Sequence, residues 1–208
     1  MTAVTSLGDD VFVARKQSGR VEIYDARTFT LQKHLHIRFP EDDIASQLLE
    51  FRFNPSFDRP MFTGLVACPV NKCLYASYNK NDMSTVHRVE LSGSNAVKKW
   101  SVARGPTGVS VNNKHNLIVA CSTASKLQEY TTHGLLVREI CLHEGVTSCR
   151  KASVTQPWHA IQLSTGDYVV SHHTIPGVVS VVGVDGQVVR SYGQSQTEIG
   201  RASCRERV

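Results

Sequence analysis

An internal repeat of roughly 40 to 50 residues constrains the fold of this chain more than any other feature of its sequence. Three segments share the same order of short apolar runs, and Gly64, Gly108 and Ala160 occupy the same place in them. These anchors are 108 − 64 = 44 and 160 − 108 = 52 residues apart. An incomplete first copy begins near Val11. Periods of this length are typical of proteins built from repeated supersecondary units.

Each copy contains four runs of four to six residues that are rich in Val, Ile, Leu and Tyr and partly alternate in polarity. This alternation predicts β-strands. Glycine turns separate the runs, as in Ser92-Gly93, His133-Gly134, Thr165-Gly166 and Asp185-Gly186. Four antiparallel strands at this period predict the blade of a β-propeller. We therefore expect an all-β chain that forms an incomplete β-propeller of about four four-stranded antiparallel blades; a single β-sandwich is the alternative.

The repeat also predicts how the chain is divided. The predicted units are a partial first blade at residues 1–37, an insertion at 38–60, blades at 61–104 and 105–144, a second insertion at 145–156, a blade at 157–197 and a tail at 198–208. Both insertions lie between blades, where the length of a loop is free to vary. The tail is similar to the translation of a common sequencing adapter, so we leave it out of the fold argument and expect the natural protein to continue past Thr197.

The third copy and half of the fourth carry motifs with a specific order. Gly105-Pro-Thr-Gly-Val-Ser-Val111 is followed by Ile118-Val-Ala120, Lys126-Leu-Gln-Glu-Tyr130 and His133-Gly-Leu135, and Val181 to Val188 repeats the second half. This order resembles that of the NHL-repeat propellers, which are related to WD-repeat propellers. The family usually has aspartate after its second strand, whereas this chain has Tyr78, Cys121 and His172 there. The resemblance implies a recognition domain like those of tripartite-motif proteins, which dock protein substrates or RNA.

Composition and charge limit the cellular compartments and the kinds of partner that we expect for this chain. The chain has 208 residues, 41% of them hydrophobic, and a net charge of +5, which permits an anionic partner without requiring one. Its longest apolar runs are far shorter than the roughly 20 residues that span a membrane. Residues 1–10 lack the pattern of a signal peptide, and six irregularly spaced cysteines are typical of reduced thiols. We therefore expect a cytoplasmic protein that does not associate with membranes.

The common signatures of catalysis are missing from the sequence. Phosphate-binding, dinucleotide-binding, G-x-S-x-G and H-E-x-x-H motifs do not occur. The blade starts offer no acidic ligands of the kind that divalent cations need in propeller hydrolases. The sequence thus predicts that the chain is not an enzyme, has no cofactor and takes no small-molecule substrate, with a metal-dependent hydrolase as the enzyme alternative.

Two clusters raise the question of metal or disulfide chemistry. His159, His172 and His173 lie at one end of the last blade and would suit zinc, but neighbouring residues of a strand point to opposite faces. We therefore expect no metal site. Cys68 and Cys73 flank a four-residue turn and could form a disulfide, although we expect two reduced, packed thiols.

Basic and aromatic residues cluster in loops that share one side of the predicted propeller. The candidate binding residues are Lys80, Arg104, Lys126, Trp158, His159 and His172. Such a face predicts a scaffold that recognises a protein partner, with Trp158 as a contact anchor. The alternative is RNA binding, in which the cations contact phosphates and bases stack on Tyr78 or Trp158.

Overall fold

The computed structural model describes residues 2–15, 20–37, 61–80, 83–92, 96–142, 156–173 and 177–193. These residues form sixteen strands in four antiparallel sheets of four strands each, and no helix. The all-β prediction is confirmed. None of the described segments is a helix that is long and apolar enough to cross a membrane.

Each sheet is a meander, in which the order of strands in space follows their order in the chain. Sheet 1 contains β1 (Thr2–Leu7), β2 (Asp10–Arg15), β3 (Arg20–Asp25) and β4 (Leu31–His36). Sheet 2 contains β5 (Met61–Cys68), β6 (Cys73–Lys80), β7 (Met83–Glu90) and β8 (Val97–Ser101). Sheet 3 contains β9 (Pro106–Val111), β10 (Leu117–Cys121), β11 (Lys126–Tyr130) and β12 (Leu136–Cys141). Sheet 4 contains β13 (Pro157–Gln162), β14 (Tyr168–His172), β15 (Val178–Val182) and β16 (Val188–Tyr192).

Tight glycine turns close several of the hairpins. Gly134 has a φ of +85°, a conformation that L-residues with side chains rarely adopt, and its amide donates to the Thr131 carbonyl at 3.0 Å. Space also requires glycine here, because an added Cβ would lie 2.7 Å from the indole of Trp100 in sheet 2. Gly134 therefore both closes the β11–β12 hairpin and allows sheet 3 to pack closely on sheet 2.

Three apolar layers join the four sheets in series. The layer between sheets 1 and 2 includes Phe12, Ile23, Leu74 and Val89. The layer between sheets 2 and 3 includes Cys73, Tyr75, Val86, Val119 and Tyr130, and the layer between sheets 3 and 4 includes Ile118, Leu127, Tyr168 and Val170. Sheets 2 and 3 thus bury both faces, as the blades of a propeller do.

The first strand of each sheet is the inner strand, and these strands pack on one another in chain order. Thr107 Oγ1 near the start of β9 donates to the Pro157 carbonyl at the start of β13 at 2.9 Å. At the other end of the same strands, Asn112 Nδ2 donates to Gln162 Oε1 at 2.9 Å. The inner strands β9 and β13 therefore run in the same direction, which places corresponding loops on the same side of the arc.

The structure corrects two details of the predicted repeat. Residues 2–37 contain a complete four-stranded sheet, because β1 adds a strand whose polar residues obscure the apolar pattern in the sequence. The third anchor is also shifted by one residue: Gly64 and Gly108 pair with Ser77 and Ala120, and the residue in the same register of sheet 4 is His159. The insertions at 38–60 and 145–156 lie outside the described residues, except for Gln156, as does the tail at 198–208.

Cys68 and Cys73 lie directly opposite each other at the end of the β5–β6 hairpin, as expected from the turn between them. Both are free thiols, and both are fully buried in the layer between sheets 2 and 3. Burial raises the pKa of the Cys73 thiol. The prediction of two reduced packing residues is confirmed.

Candidate functional site

The candidate residues lie along one edge of the arc, which we call the upper edge. It is formed by the starts of the inner strands, the ends of the second strands and the loops that lead from each second strand to the third. Pro106 pairs with Cys121 there, and Pro157 pairs with His172. The opposite, lower edge carries the hairpin turns between first and second strands and between third and fourth strands.

A β-bulge interrupts the inner strand of three sheets at the same place. The pairing skips Thr63 in sheet 2, Thr107 in sheet 3 and Trp158 in sheet 4. Thr63 contacts Ser77 through its hydroxyl, and Thr107 donates to the Pro157 carbonyl, so the two threonines serve packing within the arc. Bulges redirect side chains and are frequent next to functional sites. In sheet 4 the redirected residue is the tryptophan.

Trp158 stacks on His173, with ring centroids 4.8 Å apart and an angle of 25° between the rings. The tryptophan is half-buried and the histidine is exposed. The His173 amide donates to the Gln156 carbonyl at 2.9 Å, which fixes the residue against the start of β13. The pair thus presents a flat aromatic surface that is already held in place. The sequence indicates His172 for the binding face and His173 only as a possible zinc ligand, because the bulge that aligns Trp158 with His173 carries no sequence signal.

His159 replaces glycine at the next position of β13. An added Cβ on Gly108, its equivalent in sheet 3, would lie 2.5 Å from the Trp158 carbonyl oxygen and 2.7 Å from His159 Nδ1. The imidazole is exposed on one side, while its packing on the other side lowers the pKa of His159. His172 is half-buried at the end of β14, opposite Pro157.

The histidines do not form a metal site in the described segments, where no group of three His, Cys, Asp or Glu side chains has metal-binding geometry. Their arrangement provides a planar aromatic pair with an adjacent imidazole that donates or accepts hydrogen bonds. Such an arrangement suits stacking and polar contacts with a ligand placed on the upper edge.

The three basic candidates lie on the same edge. Lys80 is the last residue of β6 and pairs with Met83. Arg104 is exposed in the loop before β9, where its carbonyl accepts from the Ala124 amide at 3.2 Å. Lys126 begins β11 and forms a 2.7 Å ion pair with Glu139, which raises the pKa of the lysine. Glu139 is 13 residues further along the chain, so this pairing became apparent only in the structure.

Charge differs between the two edges in the described part of the chain. Arg15, Arg20, Arg104 and Lys126 lie at the upper edge, where the two nearby carboxylates, Glu22 and Glu139, are in ion pairs with Arg15 and Lys126. The turns of the lower edge carry the cations Arg27, Lys72 and Lys114 but a larger number of acidic residues, namely Asp9, Asp10, Asp25, Asp167 and Asp185. The upper edge is therefore the side that attracts an anionic partner.

Tyr78 does not belong to this surface. It is 4% exposed, lies in the layer between sheets 1 and 2, and packs edge-on against His87 with ring centroids 6.1 Å apart. The hypothesis that Tyr78 stacks on bases is therefore wrong, because the hydrophobic layer covers its ring. Trp158 remains as the aromatic platform among the residues proposed for this role.

No protein-family model matches the sequence, and no curated protein matches it. The structure, however, is similar to solved β-propellers. A hydrazine synthase from Kuenenia stuttgartiensis is 18% identical with a TM-score of 0.63, over 91% of this chain and 47% of the other. A streptogramin B lyase is 11% identical with a TM-score of 0.62, over 92% of this chain and 53% of the other.

The β-propeller domain of Cps50 (Swd1) from Myceliophteria thermophila is 12% identical with a TM-score of 0.60, over 93% of this chain and 55% of the other. The chain therefore spans about half the length of these solved structures. At such identities the likeness establishes the fold alone, and the prediction of a β-propeller is confirmed.

The prediction that the chain is not an enzyme is corrected by these comparisons. Two of the three similar structures are a synthase and a lyase. A propeller without familiar catalytic motifs therefore gives no reason to exclude catalysis, because function depends on the site and not on the fold.

Proposed function

We propose that this chain is a propeller recognition domain of the NHL type that binds an acidic segment of a protein partner on its upper edge. The observation that carries the proposal is the Trp158–His173 stack at the β-bulge of sheet 4. The equivalent residues in sheets 2 and 3 are threonines that contact their own arc, whereas Trp158 presents an aromatic surface at the edge. Half-buried, pre-ordered aromatic residues are typical anchors of interfaces.

The charge of the upper edge supports an acidic partner. Arg104 and Lys126 flank the start of sheet 3, next to the aromatic pair of sheet 4. The burial of Tyr78 favours a protein over RNA, because single-stranded RNA is bound by a series of aromatic platforms along a basic groove. The free, buried thiols support the cytoplasm as the proposed location.

A labelled acidic peptide with one central phenylalanine tests the proposal. We expect the chain to bind it in fluorescence anisotropy, with an affinity that falls as salt is added. Trp158→Ala should weaken binding by about 30-fold, the effect of losing an interface anchor. Phe29→Ala removes an exposed aromatic residue from the lower edge and serves as the control, with no change in affinity.

An oligo(U) RNA of similar charge provides the second arm of the experiment. Equal affinity of the Trp158→Ala variant and the unmodified chain for the peptide would refute the proposal. If the chain does not bind the peptide but binds the RNA tightly through Arg104 and Lys126, the upper edge is an RNA-binding surface instead.

A further inference from the structure

Lys126, one of the basic residues of the upper edge, is held by a carboxylate of its own sheet. Its ammonium lies 2.7 Å from Glu139 Oε1, and the two side chains are 32% and 33% exposed. Hydrogen bonds from Lys126 and Gln128 lower the pKa of Glu139, and the hydrogen bond with Glu139 raises the pKa of Lys126. Both members of the pair are therefore charged at neutral pH, and the charge of the lysine is offset before any partner binds.

The carboxylate of Glu139 is also held by a buried glutamine. Gln128 is 6% exposed, and its Nε2 donates to Glu139 Oε2 at 2.8 Å. Its Oε1 accepts from the Ala103 amide at 2.8 Å and from the Tyr130 hydroxyl at 2.9 Å, which fixes the orientation of the side-chain amide. Ala103 immediately precedes Arg104, so the same glutamine holds the loop of another upper-edge cation. Glu139 is therefore positioned by a rigid group and does not depend on its lysine.

A blade does not require a carboxylate at this position. In the other three sheets, the residues in the register of Glu139 are His34, Lys99 and Ser191. Sheet 3 packs between sheets 2 and 4, so its surroundings are those of an inner blade. The pair of Glu139 with Lys126 is thus particular to sheet 3, and it removes one cation from those that a partner could contact.

We propose, on the basis of the proposed function, that Glu139 is a specificity-determining residue that makes the upper edge select an acidic protein segment over RNA. RNA is bound mainly through its phosphates, and each cation that contacts a phosphate adds to the affinity. A peptide that is anchored on Trp158 depends less on the number of free cations. Because Glu139 occupies Lys126 and places a negative charge beside it, it weakens RNA binding more than peptide binding.

Glu139→Gln tests the proposal, because it keeps the shape of the side chain and removes its charge. The probes are oligo(U) RNA and the acidic peptide with one central phenylalanine. At about 50 mM salt, RNA affinity should rise on the order of fivefold, since Lys126 becomes free to contact a phosphate. The salt dependence of RNA binding should steepen by one phosphate contact, a change in slope of about 0.7. Peptide affinity should change by less than about twofold.

Two controls separate the release of Lys126 from the change in net charge. Asp185→Asn removes one negative charge from an exposed turn of the lower edge and should leave RNA affinity unchanged. The double variant Lys126→Gln/Glu139→Gln should bind RNA as the unmodified chain does, because the pair has no net charge in either protein. Retained peptide binding shows that each variant is folded.

Peptide binding by the unmodified chain tests the proposed function, whereas the difference between variants tests the role of Glu139. If the unmodified chain does not bind the peptide, the proposed function is wrong even where Glu139→Gln raises RNA affinity. The role of Glu139 is overturned if Glu139→Gln leaves RNA affinity unchanged, if it raises peptide affinity as much as RNA affinity, or if Asp185→Asn gives the same gain.

Discussion

Glu129 places a buried carboxylate at the lower edge between sheets 3 and 4. Its Oε1 accepts from Asn112 Nδ2 at 2.9 Å and from Asn116 Nδ2 at 2.8 Å, and its Oε2 pairs with Arg138 Nε at 3.0 Å. Glu129→Ala removes the acceptor of two hydrogen bonds and one member of an ion pair, so we expect it to lower the free energy of unfolding by about 2–4 kcal/mol. Urea denaturation measures this loss.

Asp9 provides the control for Glu129 in an exposed turn of sheet 1. Its ion pair with Arg27 is solvent-exposed, so Asp9→Ala should cost less than about 1 kcal/mol. Equal losses in the two variants would show that the buried network does not stabilise the arc beyond an ordinary surface pair.

His87 links the stability of sheet 2 to pH. Burial lowers the pKa of His87 from 6.5 to about 4, so the unfolded chain binds a proton more readily than the folded chain. The stabilisation of the folded chain by neutral His87 is complete above pH 6.5. It is lost as the pH falls toward about 4, by up to about 1.4 kcal/mol per pH unit. The free energy of unfolding, measured by denaturation at pH 7 and pH 5, should differ less between the two pH values for His87→Gln than for the unmodified chain. His133→Gln, in an exposed turn, should retain the full difference.

At the scale of elements, the approach of inner strands β9 and β13 depends on Gly108. An added Cβ would lie 2.5 Å from the Trp158 carbonyl oxygen, and backbone gives way less readily than a side chain. We expect Gly108→Ala to destabilise the chain by about 1–3 kcal/mol and to lower the melting temperature. Gly177→Ala is the control, since an added Cβ there meets nothing within 4 Å. Equal melting temperatures for the Gly108→Ala and Gly177→Ala variants would contradict this account of the packing.

The sequence periodicity predicts the strands and the repeat, but it does not predict the contacts between sheets. Alternating apolar residues and Gly turns indicate each hairpin, because both reflect local backbone geometry. In sheet 4, His159 stands where the other two sheets have glycine and the next residue is the small Ala160, so the sequence indicates Ala160 as the anchor although His159 occupies that register. The place of Trp100 after Lys98-Lys99 on an outer strand also predicts packing on the next blade, and its ring contact with Tyr130, with centroids 6.1 Å apart, confirms this.

The predicted upper edge followed from topology alone, since antiparallel pairing determines which loops share a side of a meander. The ion pair of Lys126 with Glu139 and the stack of Trp158 on His173 did not follow, because both depend on contacts between strands whose register the sequence leaves open. The burial of Tyr78 likewise depends on which face of β6 meets sheet 1.

At the scale of the whole molecule, the four sheets form a series in which each sheet packs on its neighbours. Strands β2 and β3 pair within sheet 1, and β15 and β16 pair within sheet 4, so the described strands of the first and last sheets do not pair with each other. Stability in such a series is approximately a sum of units and of the interfaces between them. The end sheets contribute one internal interface each and the inner sheets contribute two.

This arrangement predicts graded protection of backbone amides from hydrogen exchange. We expect Leu117–Cys121 in sheet 3 and Cys73–Lys80 in sheet 2 to exchange on the order of tenfold more slowly than Asp10–Arg15 and Val178–Val182 in the end sheets. Mass spectrometry of exchanged peptides measures these rates. Uniform rates across all four sheets would show that the arc opens as a single cooperative unit, in which the end interfaces are as strong as the inner ones.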